Sequence, residues 1–132
     1  MERYLLDTSA VIKYLNESFP EEALLFLDQI LNKESNISFI TQIELLVWTP
    51  LNPNDLEIYQ TFVESSNVLQ VNNEIIEYCI LIRKTTKIKV PDALIAASAV
   101  AFDLTLISDN DKDFNKVLKM DIGLKYLNPK KI

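Results

Sequence analysis

The chain has 132 residues, 48% hydrophobic and 24% charged, with one Gly and one Cys; such a length predicts a single domain, residues 1–132, with a proper buried core. The absence of His removes every mechanism built on imidazole, and a lone Cys79 removes disulfide frameworks and multi-cysteine zinc sites. The net charge of −6 is unevenly spread: residues 1–66 carry 11 acids and 3 bases, residues 67–132 carry 8 and 10, so the total disfavours a polyanionic partner while the second half leaves a basic face for one.

The first residues hold no basic stretch leading into a long apolar one, and the most apolar run, residues 93–102, is about half a bilayer span. The expectation is a cytoplasmic protein without membrane contact. Tyr4-Leu5-Leu6 reads as a first strand, and Asp7 follows it directly, ahead of Thr8, Ser9 and Ala10. Asp7 suits two roles: N-cap of a helix starting near Ser9, or a reactive carboxylate past the end of a strand. Ser18-Phe19-Pro20-Glu21 has capping-box spacing and opens a helix with Ala23, Leu24, Leu27, Ile30 and Leu31 on one stripe.

Residues 37–40 read as a second strand, followed by Thr41-Gln42-Ile43-Glu44, again with capping-box spacing and Glu44 at its third helical position. Asn54 and Asp55 begin a helix whose stripe is Ile58, Tyr59, Phe62 and Val63. After a strand at residues 68–71, Asn73 begins another, with Ile75, Cys79 and Ile82 aligned as packing residues. Pro91 suits a first helical turn, and Asp92 follows it at the head of a helix almost free of charge. A helix apolar all round is buried, which predicts that Asp92 lies deep in the fold and needs a partner. The last strands are residues 104–107 and 124–127, and between them Ser108-Asp109-Asn110-Asp111-Lys112-Asp113 reads as an acidic turn.

Strands alternating with helices imply an α/β fold, a mainly parallel sheet of about five strands flanked by helices. Working residues in such sheets sit past the carboxyl ends of the strands. Four places there offer carboxylates: Asp7, Glu44, Asp92 and the Asp109–Asp113 cluster. Two carboxylates ~4 Å apart repel by about 4 kcal/mol at an effective dielectric of ~20, so four at one sheet edge call for a cation. Without His or clustered Cys, that cation is a hard, oxygen-bound one, Mg²⁺ or Mn²⁺. A carboxylate-held pair of such ions is the apparatus for in-line attack of water on a phosphodiester.

These segments resemble a PIN domain, and specifically the small ribonuclease toxins of bacterial toxin–antitoxin pairs (VapC type). The likeness rests on residues 5–10, 41–46, 90–97 and 106–114, in that order and spacing, and spans nearly the whole chain. It implies a Rossmann-like sheet and an Mg²⁺- or Mn²⁺-dependent endoribonuclease. It also implies that Asp7, Glu44 and Asp92 bind the metal ions, with Asp113 as the fourth acid and Asp111 as the competing choice. Ser108 and Asn110 then stand behind the ligands as hydrogen-bonding groups, as does Thr8 or Ser9, which can orient Asp7. The resemblance further implies a homodimer and an antitoxin lying across the early helices.

Other features fit around this frame. Residues 83–89 carry four bases and no acid. Arg83 and Lys84 suit a helix C-terminus, whereas Lys87 and Lys89, beside Asp92, are candidate phosphate contacts. Trp48 and Tyr59 are expected in the core. An aspartyl-phosphate phosphatase is disfavoured because Ser9, rather than a second Asp, stands two residues after Asp7. The alternative of another class is a catalytically silent PIN scaffold that only binds protein or RNA.

Overall fold

The computed structural model describes residues 2–132. Five short strands, β1 (Tyr4–Leu6), β2 (Asn36–Ser38), β3 (Asn67–Leu69), β4 (Thr105–Ile107) and β5 (Lys125–Leu127), form one sheet in the order β3-β2-β1-β4-β5. Every neighbouring pair is parallel, with Leu6 opposite Ile37 on one side and Ile107 on the other. The helices are α1 (Thr8–Leu15), α2 (Glu21–Lys33), α3 (Phe39–Leu46), α4 (Pro53–Glu64), α5 (Asn73–Thr85), α6 (Val90–Ala101) and α7 (Asp111–Leu118), and a 3₁₀ turn at Pro129–Lys131 closes the chain.

Because successive side chains of a strand point to opposite faces, β1 and β4 each feed two cores. Leu5 and Leu106 pack with Ile75, Ile82, Ile95, Phe114 and Val117 from α5, α6 and α7. Leu6 and Ile107 pack with Val11, Leu27, Ile37, Leu45 and Val63 under α1 to α4. In α6 the small residues Ala93, Ala96, Ala97 and Ala99 are fully buried, so its backbone sits close against the sheet. The strand order reverses between β1 and β4, and in an open parallel sheet the crevice forms at the carboxyl ends beside such a reversal. Asp7 and Ser108 are the residues that leave those two strands.

Several boundaries differ from the sequence-based expectation, each for a local reason. The second strand ends at Ser38, whose hydroxyl caps α3 by accepting from the Ile40 N–H at 3.1 Å. Phe39 and Ile40 therefore belong to a helix, because a short apolar run does not distinguish strand from helix. Thr41 and Glu44 consequently lie inside α3 rather than forming a capping box. Ser18 likewise caps nothing, since α2 starts after Pro20 without a side-chain cap. The body of α6 is buried as expected, but Val90 and Pro91 are exposed and Asp92 is half-buried, so the helix head opens to the surface. The acidic turn is the start of α7, with Asn110 as its cap.

Candidate metal and nucleic-acid site

Asp7 is 4% exposed and caps α1, accepting from the Ala10 N–H at 2.8 Å. Burial is the main force on this carboxyl and pushes its pKa up to about 6; hydrogen bonds from Ser108 and Ala10 offset part of that, and the charges of Asp109 and Asp92 add to it. Ser108 is fully buried, and its Oγ also accepts from the Asn110 N–H at 3.0 Å. The hydrogen bond that fixes the Asp7 carboxylate comes from the Ala10 N–H, and neither Thr8 nor Ser9 donates to it.

Thr8 serves a different carboxylate. Its hydroxyl donates to Glu44 Oε1 at 2.6 Å and meets the buried Thr41 Oγ1 at 3.0 Å, which fixes Glu44 on the wall facing α1. Asp92, from the first turn of α6, lies close enough to Asp113 and Glu44 to feel both. Burial first, then those two like charges, hold its pKa above the usual carboxylate range, while Lys89 pulls it down. Asp7, Thr8, Ser9, Lys13, Glu44, Asp92 and Asn110 share one cleft of about 420 Å³.

The acidic segment after β4 divides by partner. Asp113 accepts from Asn110 Nδ2 at 3.1 Å and faces Asp92. Asp111 turns away to Tyr126, Asn128 and Lys131; the Lys131 ammonium and then the Tyr126 hydroxyl hold its pKa down to about 2. Asp109 pairs with Lys13 and, at 2.9 Å, with Lys130, and the two lysines outweigh its burial and keep it below the ordinary range. Lys13 was not among the sequence candidates. The available signal was its place four residues after Ser9, on the same face of α1. Lys87 and Lys89 are exposed; Lys89 ends the loop into α6, and neither lines the cleft.

Among the described residues no three carboxylates are gathered tightly enough to form a ready-made chelating cluster. Asp7, Glu44 and Asp92 instead stand on separate walls of one cleft, and Asp113 sits at its margin near Asp92. Their chemistry nonetheless fits a hard divalent cation. The donors are oxygens only, one of them is almost fully buried, and Asp7 and Asp92 are each raised by like-charged neighbours that a cation would relieve.

Outside the cleft, Tyr59 is buried but Trp48 is 42% exposed, correcting the expectation that both are core. Trp48 tilts against Tyr59 with ring centroids 4.9 Å apart. Ile43, Val47 and Leu51 are exposed around it, and a groove of about 570 Å³ runs between Leu15, Ile58 and Phe62. No helix of the described residues is long and apolar enough to cross a membrane.

Residues 4–119 match the family model described as PIN domain. Among solved structures, the fold is similar to a chain of the DNA-bound VapBC from Salmonella typhimurium, with TM-score 0.81, 23% identity, and 98% of this chain and 99% of that one covered. It is similar to VapBC-1 from nontypeable Haemophilus influenzae, with TM-score 0.77, 26% identity and coverage of 96% and 97%. A toxin–antitoxin complex from Klebsiella pneumoniae gives TM-score 0.70 at 27% identity, covering 96% and 97%. No curated protein is matched by sequence.

Proposed function

Because the chain belongs to the PIN domain family, we propose that it is an Mg²⁺- or Mn²⁺-dependent endoribonuclease and the toxin of a bacterial toxin–antitoxin pair. The observation that carries this reading is that the end of β1, α3, and the first turns of α6 and α7 each send an acid toward one sheet edge at the strand reversal.

In this reading Asp7, Glu44, Asp92 and Asp113 hold the cation. When bound, the cation supplies the Lewis acidity that makes water a nucleophile at neutral pH and that neutralises charge building on the phosphodiester. The chain's own residues prepare the place. The Ala10 N–H fixes the buried Asp7 carboxylate. Thr8 fixes Glu44, and Asn110 fixes Asp113. Lys13 in the cleft, with Lys89 near Asp92 and Lys87 exposed in the same loop, offers positive charge to the phosphates of an RNA despite the net charge of −6.

The partners follow from the exposed apolar surface. Ile43, Val47, Trp48 and Leu51, with the neighbouring groove on α4, form the face for the antitoxin. Ile76 and Ile80, exposed one turn apart on α5, suit a homodimer contact. The site of action is cytoplasmic.

The test is cleavage of a structured RNA pool by folded, partner-free protein in Mg²⁺ or Mn²⁺, with chelator and Asp92→Asn controls. Cleavage abolished by both controls supports the reading. No cleavage, together with no metal-dependent shift in melting temperature, overturns it in favour of a silent binding scaffold.

A further inference from the structure

The turn from Ser108 to Asp111 is held from two sides. On the cleft side, Ser108 Oγ accepts from the Asn110 N–H at 3.0 Å, and Asn110 caps α7 through the Asp113 N–H at 3.3 Å while its Nδ2 holds the Asp113 carboxylate. On the other side, the last residues of the chain hold the alternate positions. The Tyr126 hydroxyl is shared between Asp111 Oδ1 at 2.6 Å and the Ser108 carbonyl at 3.1 Å, so one side chain touches both ends of the turn. Asn128 Nδ2 adds a bond to Asp111 at 3.0 Å, Lys131 another at 2.6 Å, and Lys130 reaches Asp109 at 2.9 Å. The Ser108 N–H donates to the Leu127 carbonyl at 3.2 Å, and Pro129 is buried, which anchors the tail that presents these groups.

We infer that residues 126–131 are a positioning clamp for the site, in which Tyr126 and Asn128 act through Asp111 and the Ser108 carbonyl to set where Ser108 Oγ holds Asn110 and where Asn110 holds Asp113. The inference rests on the nuclease reading above. Asp111 is then a positioning residue. Its carboxylate is fully occupied by the tail, which explains why three acids in five residues send only one, Asp113, toward Asp92. Groups that orient a ligand from behind typically change metal affinity or activity by about 10–100-fold when removed. Tyr126 is suited to such a test because its ring packs on Phe114 at 5.8 Å between centroids, so the hydroxyl can be deleted while the packing stays.

The experiment compares wild type, Tyr126→Phe, Asn128→Ala, Asp111→Asn and, as a control on the same strand, Lys125→Ala, whose partner Asp103 is on the surface. Two readouts are taken: Mn²⁺ binding by electron paramagnetic resonance, and kcat and KM on one RNA. Tyr126→Phe is expected to weaken Mn²⁺ binding and lower kcat by about ten-fold each, leaving KM within about two-fold. Asn128→Ala should move both in the same direction, as should Asp111→Asn, whose amide nitrogen cannot accept from the tail as the second carboxylate oxygen does, and Lys125→Ala should change neither. If Tyr126→Phe or Asn128→Ala lowers the melting temperature while Mn²⁺ affinity and kcat stay at wild-type values, the tail is only structural and the clamp is overturned. Should Tyr126→Phe fail to fold, Asn128→Ala decides alone. A wild-type arm that neither binds Mn²⁺ nor cleaves takes down the nuclease reading and the clamp with it; an active wild type matched by its variants takes down the clamp alone.

Discussion

Thr8 donates its hydroxyl to Glu44 Oε1 at 2.6 Å and thereby ties the first turn of α1 to α3 across 36 positions of sequence. The same oxygen meets Thr41 Oγ1 at 3.0 Å, and Thr41 is fully buried, so the pair is anchored in the core on one side and presents a carboxylate to the cleft on the other. A hydroxyl is the smallest group that can do both. It donates to a carboxylate and still accepts from a neighbour.

Thr8→Val keeps the volume and removes the donor. Glu44 is then free to swing toward solvent, and the buried Thr41 hydroxyl loses a partner. The expected cost is about 1–3 kcal/mol of stability together with about 10–100-fold in kcat or Mn²⁺ affinity. Thr8→Ser, which keeps the oxygen, should recover most of the catalytic loss. Single-turnover cleavage with the three proteins checks this; equal rates for Thr8→Val and wild type would leave Glu44 without need of its support.

Asp7 makes metal-free stability depend on pH. Its folded pKa of about 6 lies above the ordinary 3.8, so between those values the native state holds a proton that the unfolded chain has released. Stability therefore falls as pH rises through that window and levels off above it, by about 3 kcal/mol at ~1.36 kcal/mol per unit. Asp92, also raised, adds in the same direction, whereas Asp109 and Asp111 are lowered and act below the window. Asp7→Asn keeps an acceptor for Ala10 and removes the buried charge. In chelator, urea unfolding should show the variant more stable than wild type at pH 7.5, with the gap shrunk to about a third at pH 4.5 and closing as the pH falls below the unfolded value of 3.8. The gain should vanish when Mn²⁺ is added, because only the wild type keeps the carboxylate. A variant no more stable than wild type at pH 7.5 would mean that Asp7 carries no such strain.

How far the sequence reveals the site depends on whether a contact is local. The strand–acid juncture at Leu6-Asp7 and the Pro91-Asp92 helix start are short-range signals, and the alternation of strands and helices is enough to put both at one edge of a parallel sheet. The roles of Asp109, Asp111 and Asp113 are not local. They are separated by Lys13, Lys130, Lys131 and Tyr126, which come from residues 15 to 96 positions away in the chain. Ser38 hides a helix start for a different reason, since Phe39 and Ile40 fit a strand as well as they fit α3. Thr8 reads naturally as a neighbour of Asp7, but its partner Glu44 becomes visible only once α1 and α3 are packed together.

Trp48 separates surface from core by magnitude. Truncating a buried Trp costs about 3–5 kcal/mol, whereas an exposed one resting on a single ring loses about 0.5–1.5 kcal/mol of aromatic contact. With Trp48 at 42% exposure and Tyr59 beneath it, Trp48→Ala should fall at the lower figure in urea unfolding. If this face meets the antitoxin, the same variant should weaken the complex by about 2 kcal/mol or more, as buried interface aromatics do. Calorimetric titration of the cognate antitoxin reads this directly. A large stability loss with an unchanged complex would place Trp48 back in the core and the partner elsewhere.

Asp113 and Asp109 offer opposite expectations from positions four residues apart in one segment. Asp113→Asn keeps an oxygen for Asn110 Nδ2 and removes a like charge from beside Asp92, and its pair with Lys116 at 3.9 Å is a surface contact of little worth. Its stability should stay at or slightly above that of wild type while, on the proposed role of Asp113 as a metal ligand, cleavage falls by more than the about 10–100-fold typical of groups that only support a ligand. Asp109 has a side chain only 7% exposed and bridges Lys13 to Lys130. Asp109→Asn leaves two cations facing each other across a neutral amide, so it should lose stability by about 1–3 kcal/mol. The freed Lys13 should in turn make RNA binding tighter at low salt and steepen its salt dependence. Filter binding at two salt concentrations, with urea unfolding of both proteins, tests the pair. Loss of cleavage with intact folding in Asp109→Asn, and the reverse in Asp113→Asn, would exchange their roles.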